Sequence, residues 1–394
     1  MKVKGFSAAA VQAGIRYQDR LDLALIYSEV PAVTAGMFTT NKVKAAPVIL
    51  GMDRLRQGKA QAVLVNSGNA NACTGEQGMQ VALMTGAMAA DALQIDPELV
   101  QVASTGVIGE QLDPKPFVRA VPKLVSALRD DGFDDLSQAI MTTDTIPKTS
   151  SAQVVINGIE VHLFGAAKGA GMIMPDMATM LCFVVTDAQI AFPALNKAVK
   201  TGVEESFNLI TVDGDTSTND TVLVMANGAA GNLWIDEDNT QGLEIFTDAL
   251  HEIFKDLALQ ILSDGEGTTK VVTIRVVGAR NREAAMNAAQ TIANSALVKT
   301  AFFGEDANWG RIIAALGRSE CQFQPERVSI AFDEVVMVEN GLGLGEKAEK
   351  DASEVLRKNA FTVTVDLRDG TESAEVFTTD LTCDYVKINA DYRS

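Results

Sequence analysis

Histidine is close to absent. The 394 residues contain two, His162 and His251, so no HExxH or other paired-histidine spacing exists, and a zinc hydrolase is excluded. A Ser-His-Asp triad would have to pass through one of these two, and no GxSxG elbow accompanies either. Each is read as structural, His162 in a β-rich run and His251 in a helical one. Cysteine is nearly as scarce. Cys73, Cys182, Cys321 and Cys383 stand apart with no CxxC among them. That spacing gives neither a zinc site nor a disulfide framework, and it suits a reducing compartment, the cytoplasm. No metal is expected. Phosphate-cradling loops are missing as well: there is no Walker-type GxxxxGK loop and no GxGxxG after a strand. The glycines of GAAKGAG (165–171) and GLGLGEK (341–347) are spaced otherwise and read as turns.

Long apolar runs are also lacking. No stretch of about 18 uncharged apolar residues occurs, and the nearest approach, 163–185, contains Lys168 and Asp176. At the N-terminus Ser7, Gln12 and Arg16 interrupt any apolar core, so no secretory signal is expected. Positive charge is in short supply: 33 Lys and Arg face 51 Asp and Glu, a net −18, which repels phosphate backbones and excludes nucleic acid as a partner. Most of that acidity reads as solvated helix faces.

What is there is the material of a globular enzyme. Hydrophobic residues make up 47% and charged residues 21%, and the length suggests about two domains. Residues 80–94 and 116–130 read as helices, the second with Pro122 placed to disturb its middle. In SAQVVINGIEVHLFG, Asn157-Gly158 separates two alternating β-rich runs, which predicts a hairpin with a type I′ turn. Residues 244–262 are strongly amphipathic and end before Gly265 and Gly267. The runs 270–277, 328–338 and 361–367 read as strands and 281–295 as a helix. Strands and helices interleave without strict βαβ spacing, so the expected class is α+β or a layered sandwich.

An enzyme without a histidine base, metal or nucleotide loop needs another way to activate a nucleophile. One solution is a threonine whose own α-amine is the base. Its reference pKa of about 7.7–8.0 lies close to the working pH. Such a threonine must begin a chain, so an internal one needs the preceding peptide bond cut. In KGAGMIMPDMATMLCFVVTDA (168–188) a glycine-rich loop leads to Ala178-Thr179 and then to an apolar run. The small Ala178 leaves its carbonyl open to the Thr179 hydroxyl. A threonine before an apolar strand is also an ordinary β-former, so this feature by itself leaves both readings open.

The surrounding motifs carry a resemblance. KGAGMIMPDMATML (168–181) closely resembles the cleavage segment of the ornithine acetyltransferases (glutamate N-acetyltransferases) of arginine biosynthesis, which typically reads KGSGMIAPNMATML. Further segments look like that family's in the same order: GFSAAAVQAGIRY (5–17), TTNKVKAAPV (39–48), VNSGNANACTGEQG (65–78), STGVIGEQL (104–112), TVDGDTSTNDT (211–221), FFGEDANWGRI (302–312) and DYVKINADYRS (384–394). Nearly the whole chain is covered, and several ordered motifs are far more specific than one. Three positions depart from the cleavage motif: Ala170 for Ser, Met174 for Ala, and Asp176 for Asn, the last altering charge beside the scissile bond.

The resemblance implies a four-layer αββα sandwich that cuts itself between Ala178 and Thr179. The products would be an α chain (1–178) and a β chain (179–394), commonly assembled as a heterotetramer of two α and two β. It implies that Thr179 takes the acetyl group of N-acetylornithine as an ester and passes it to glutamate. It implies an oxyanion hole from the Thr105 hydroxyl and the Gly106 N–H. The substrate-binding positions it implies are Thr142 or its neighbour Thr143, Lys168, Thr179, Glu266, Asn389 and Ser394. Lys168 would anchor a carboxylate and Glu266 would pair an ammonium. No cofactor is implied, and whether acetyl-CoA serves as a second acetyl donor is left open. Two alternatives are carried beside this reading. One is a self-cleaving aminopeptidase of the same fold, which would usually free a serine; the other is an uncleaved, non-catalytic binding protein.

Overall fold

The computed structural model describes residues 2–174 and 180–391. Ala178, Thr179 and Ser394, expected at the cut and the substrate site, lie outside the described residues, as does Asp176. In chain order the elements are β1 (Phe6–Val11), β2 (Leu23–Phe38), α1 (Ala46–Arg54), β3 (Lys59–Asn66), α2 (Gly75–Leu93), β4 (Val100–Ser104), α3 (Lys115–Ser126), α4 (Phe133–Ala139), β5 (Lys148–Ile156), β6 (Ile159–Lys168), β7 (Leu181–Thr186), α5 (Phe192–Glu204), β8 (Ile210–Thr211), β9 (Thr221–Ala226) and α6 (Thr240–Ser263). There follow β10 (Val271–Ala279), α7 (Arg282–Ala293), α8 (Ala296–Phe303), α9 (Trp309–Gly317), β11 (Ser329–Phe332), β12 (Val335–Glu339), β13 (Leu342–Gly343), α10 (Glu346–Leu356), β14 (Ala360–Asp366), β15 (Glu372–Thr379) and α11 (Cys383–Ala390). The class is α+β, with two mixed sheets and helices.

Two compact units share these elements. The first comprises Met1–Met172, Asp176–Asn208 and Asp215–Ile261; the second Ile173–Pro175, Leu209–Gly214 and Leu262–Ser394. The first unit's sheet runs β4-β3-β2-β9-β7-β6-β5 with β1 on β2, eight strands among the described residues. β7 is LCFVVT, buried at every position, as a strand covered on both faces should be. Leu181, Phe183 and Val185 face a cluster with Phe133 and Leu136 of α4, where Phe133 meets Phe164 at 5.1 Å. Each such buried side chain contributes roughly 1.5–3 kcal/mol. A second cluster packs α1, α2 and α3 with Leu23, Leu25 and Leu64.

The second unit's sheet runs β13-β12-β11-β14-β10-β15-β8. Its core joins Val272, Ile274 and Val276 of β10 to Ala285, Ala288 and Ile292 of α7. Ile173 belongs to this unit and is fully buried. Its N–H donates to Asp213 Oδ1 at 3.0 Å and its carbonyl accepts from the Val212 N–H at 2.9 Å. Among the described residues no helix is long and apolar enough to cross a membrane.

The expected hairpin is present: β5 and β6 pair down to Ile156↔Ile159, and Asn157 and Gly158 take φ of +51° and +82°, the signature of the primed turn. Pro122 does not break α3, because it lies on the exposed face, where the carbonyl it leaves without a donor meets water. Two expectations need correction. The run 328–338 is not one strand but the hairpin β11–β12. Asp333 turns the chain at φ +47°, its carboxylate accepting from the Thr362 N–H at 2.9 Å. Nor are GAAKGAG and GLGLGEK wholly turns, since 165–168 end β6, 342–343 form β13 and 346–347 begin α10. Gly165 is required there by close approach: a Cβ would stand 2.9 Å from Ile253 and 3.0 Å from Leu257 of α6.

Candidate active site

The site in the first unit grows from where β7 begins. Leu181 pairs with Lys168, the last residue of β6, and with Thr221, the first of β9. The register therefore sets Lys168 beside the strand that starts two residues after Thr179. Lys168 is 3% exposed, and its ammonium donates to Thr105 Oγ1 at 3.2 Å. That bond uses the oxygen and leaves the Thr105 hydroxyl proton to be given elsewhere.

Thr105 and Gly106 follow β4 and are pinned by the asparagine-rich loop after β3. The Thr105 N–H donates to the Asn66 carbonyl at 3.0 Å, Ser104 Oγ to Asn66 Oδ1 at 2.6 Å, and Asn66 Nδ2 to the Asn69 carbonyl at 2.9 Å. From the far side Asn219 Nδ2 reaches the Ser104 carbonyl at 2.7 Å and the Ala70 carbonyl at 2.6 Å. Gly106 adopts φ +133°, and a Cβ there would overlap the Gly68 carbonyl and stand 2.6 Å from its oxygen, so only glycine fits. Among the described residues the Gly106 N–H donates to no backbone acceptor. A hydroxyl polarised by an ammonium, next to an uncommitted N–H, is the donor pair a tetrahedral oxyanion needs.

Sequence reasoning missed the group that organises this cluster. Asp144 is buried; Oδ1 accepts from Lys148 Nζ at 2.8 Å and from the Gly169 N–H at 2.7 Å, and Oδ2 from the Thr142 N–H at 2.9 Å. One carboxylate thus fixes both the residue after Lys168 and the expected substrate position Thr142. Burial pushes its carboxyl up, but the charges of Lys168 and Lys148 and the bonds from Lys148 and Thr142 outweigh that and hold it at about 2. Arg20, stacked 4.7 Å from the Tyr17 ring, adds a second brace by donating to the Met141 and Thr142 carbonyls. Thr142 and Thr143 are both half-buried. Local spacing gives no sign of this, since Asp144 accepts from an N–H two residues before it, the reverse of an Asx turn.

In the second unit, Glu266 and Asn389 come together. Glu266 is buried, and Asn389 of α11 donates to its Oε2 at 2.7 Å. Asn389 Nδ2 also reaches the Tyr385 carbonyl at 3.1 Å, and the Tyr385 hydroxyl donates to Asp213 Oδ2 at 3.2 Å.

Both histidines have structural partners. His162 Nδ1 lies 3.2 Å from Asp187 Oδ2, and His251 Nε2 lies 3.1 Å from the Ala198 carbonyl. Neither is part of the Thr105–Lys168–Asp144 cluster.

A model of the ArgJ family matches residues 7–394. The "Arginine biosynthesis bifunctional protein ArgJ" of Desulfotalea psychrophila is 57% identical over 394 residues, covering 100% of both chains. The protein of the same name from Geobacter sulfurreducens is 51% identical over 394 residues, again covering 100% of both. A crystal structure of the Bacillus halodurans "Arginine biosynthesis bifunctional protein argJ" is 42% identical at a TM-score of 0.50, and the match covers 53% of this chain and 97% of that one.

Proposed function

The chain belongs to the ArgJ family, and from that premise we propose that it carries acetyl groups from N-acetylornithine to glutamate on the hydroxyl of Thr179. It is an acyltransferase of arginine biosynthesis. The observation that carries the mechanism is the Lys168 ammonium on Thr105 Oγ1, with Gly106 beside it, next to the start of β7.

The cycle begins with maturation. Thr179 Oγ attacks the Ala178 carbonyl, the C–N bond breaks, and the resulting ester is hydrolysed to give a free Thr179 α-amine and a new carboxylate on Ala178. In each later turn the hydroxyl attacks the acetyl carbonyl while the α-amine takes its proton. The oxyanion accepts from the Thr105 hydroxyl and the Gly106 N–H; losing one such donor typically costs ~2.7–4 kcal/mol of transition-state stabilisation. Collapse expels ornithine, whose amine takes the proton. The glutamate amine then attacks the acetyl ester, and N-acetylglutamate leaves. Lys168 is proposed to anchor a substrate carboxylate and Glu266 to pair with a substrate ammonium, with Thr142, or Thr143, and Asn389 as further binding positions. No cofactor enters the cycle, and acetyl-CoA would be a second donor to the same hydroxyl. The cut chains are proposed to work in the cytoplasm as two α and two β.

Mass spectrometry of the purified protein tests this first. Two polypeptides are expected, the second beginning Thr-Met-Leu-Cys. Thr179→Ala is expected to give one uncut chain without transferase activity. A fully active enzyme with the 178–179 bond intact would overturn the reading, and peptide hydrolysis without acetyl transfer would favour the aminopeptidase.

A further inference from the structure

The motif TVDGDTSTNDT ends in a carboxylate that the cycle above does not use. Asp220 stands immediately before β9, with none of its surface exposed. Its Oδ1 accepts from the Met180 N–H at 3.1 Å. The next residue, Thr221, the first of β9, donates its N–H to the Met180 carbonyl at 3.0 Å. Met180 is therefore gripped at both ends of its backbone, one rung before the β7–β9 ladder begins at Leu181↔Thr221. Asp220 is itself fixed, since its carbonyl accepts from the Thr39 N–H at 3.0 Å.

The other carboxyl oxygen makes this arrangement costly. Oδ2 is buried without a hydrogen bond. Burial pushes the carboxyl well above the usual carboxylate range, and the opposing pull of the Met180 N–H, Thr39, Lys168 and Ser217 does not bring it back. The Thr39 hydroxyl is committed to the Ser217 carbonyl at 2.7 Å. A buried polar atom left unmade is destabilising, and an apolar residue of the same size would avoid that cost. What such a residue could not do is accept the Met180 N–H.

We propose that Asp220 is a positioning residue for the nucleophile: through Oδ1 it fixes the N–H of Met180, the residue to which Thr179 is joined. This rests on the reading of Thr179 as the nucleophile. The same restraint serves both steps that use that hydroxyl, self-cleavage and acetyl transfer, and substrate affinity is not its business.

The test compares the full-length wild type with Asp220→Ala and Asp220→Asn. The extent of cutting over time is followed by mass spectrometry, and kcat and KM are measured for acetyl transfer from N-acetylornithine to glutamate. Asp220→Ala is expected to slow cutting and to lower kcat by about tenfold or more with KM held within about twofold, as for a misplaced but intact nucleophile. Asp220→Asn keeps an oxygen for the Met180 N–H and is expected to return kcat to within about threefold of wild type. A wild-type rate in Asp220→Ala, or equal damage in the two variants, would overturn the proposal. Should the alanine variant fail to fold, the asparagine variant still decides. Its pH–rate profile is expected to superpose in shape on that of the wild type between about pH 6 and pH 9, and a displaced profile would mean that the carboxyl titrates in the cycle. Wild type that is not cut ahead of Thr179 sinks the nucleophile reading whatever the variants do. Wild type cut there beside an unaffected Asp220→Ala sinks the positioning role alone.

Discussion

Two lysines are each 3% exposed, one in each unit, and they do different work. Lys299 of α8 donates to Thr378 Oγ1 at 3.0 Å, to Thr379 Oγ1 at 3.1 Å and to the Thr379 carbonyl. Burial pulls its ammonium down to about 7, against the charges of Asp380 and Asp213. Its partners belong to one strand end, so it fastens α8 to β15. Lys168 instead reaches 63 residues along the chain to the hydroxyl of Thr105, beside an N–H that has no backbone acceptor among the described residues. Burial of a charge marks neither function nor stability by itself. In the proposed cycle, what separates the two is whether the partner has chemistry left to perform.

Lysine-to-methionine variants sharpen that contrast most. Lys168→Met is expected to lower kcat about a hundredfold, the scale of one lost oxyanion support, with a modest change in melting temperature. A larger loss of stability than of rate would break the distinction. Lys299→Met should do the reverse: it removes one partner of a buried polar cluster and is expected to cost about 3 kcal/mol in chemical denaturation. The kcat of the folded protein should stay within about twofold of wild type, and a fall beyond tenfold would tie this lysine to the chemistry.

The smallest effect is one of pH. Asp144 is held at about 2, below its ordinary 3.8. A carboxyl depressed in the folded state stabilises above its unfolded value and loses that contribution as pH falls through the folded one. Net of the burial penalty, that shift is therefore expected to contribute roughly 2 kcal/mol that disappears between about pH 4 and pH 2. Asp144→Asn should flatten that part of the stability curve. A variant as acid-sensitive as wild type would show that Asp144 does not hold the first unit's cluster together.

Much of the architecture was legible because its signals are local. Asn157-Gly158 fixes a turn whatever lies around it, and the run LCFVV reads as a doubly covered strand from its apolarity alone. The hairpin at Asp333 was not legible, because its left-handed turn depends on Thr362, 29 residues away in sequence. The site divides in the same way. Thr105, Gly106 and Lys168 stood out through the motifs around them. Asp144 was not singled out, since the Gly169 amide that it accepts from lies 25 residues away in sequence. Asp220 was quoted within a motif without a task, because the rung it supplies exists only once β7 lies beside β9.

That sheet order also bears on what the proposed cut between 178 and 179 would do to the protein. β6 precedes the 178–179 bond and β7 and β9 follow it, yet β7 pairs with β6 on one side and β9 on the other, and β2 pairs with β9. Severing the bond would remove none of these rungs, so the strands on either side of the cut would stay paired within the first unit's sheet. Once melted they would have to find each other by diffusion, and refolding would pass from a first-order to a second-order process that dilution defeats. The uncut precursor would recover from denaturant at any concentration, whereas the mature enzyme would owe its shape to a connection it no longer possesses.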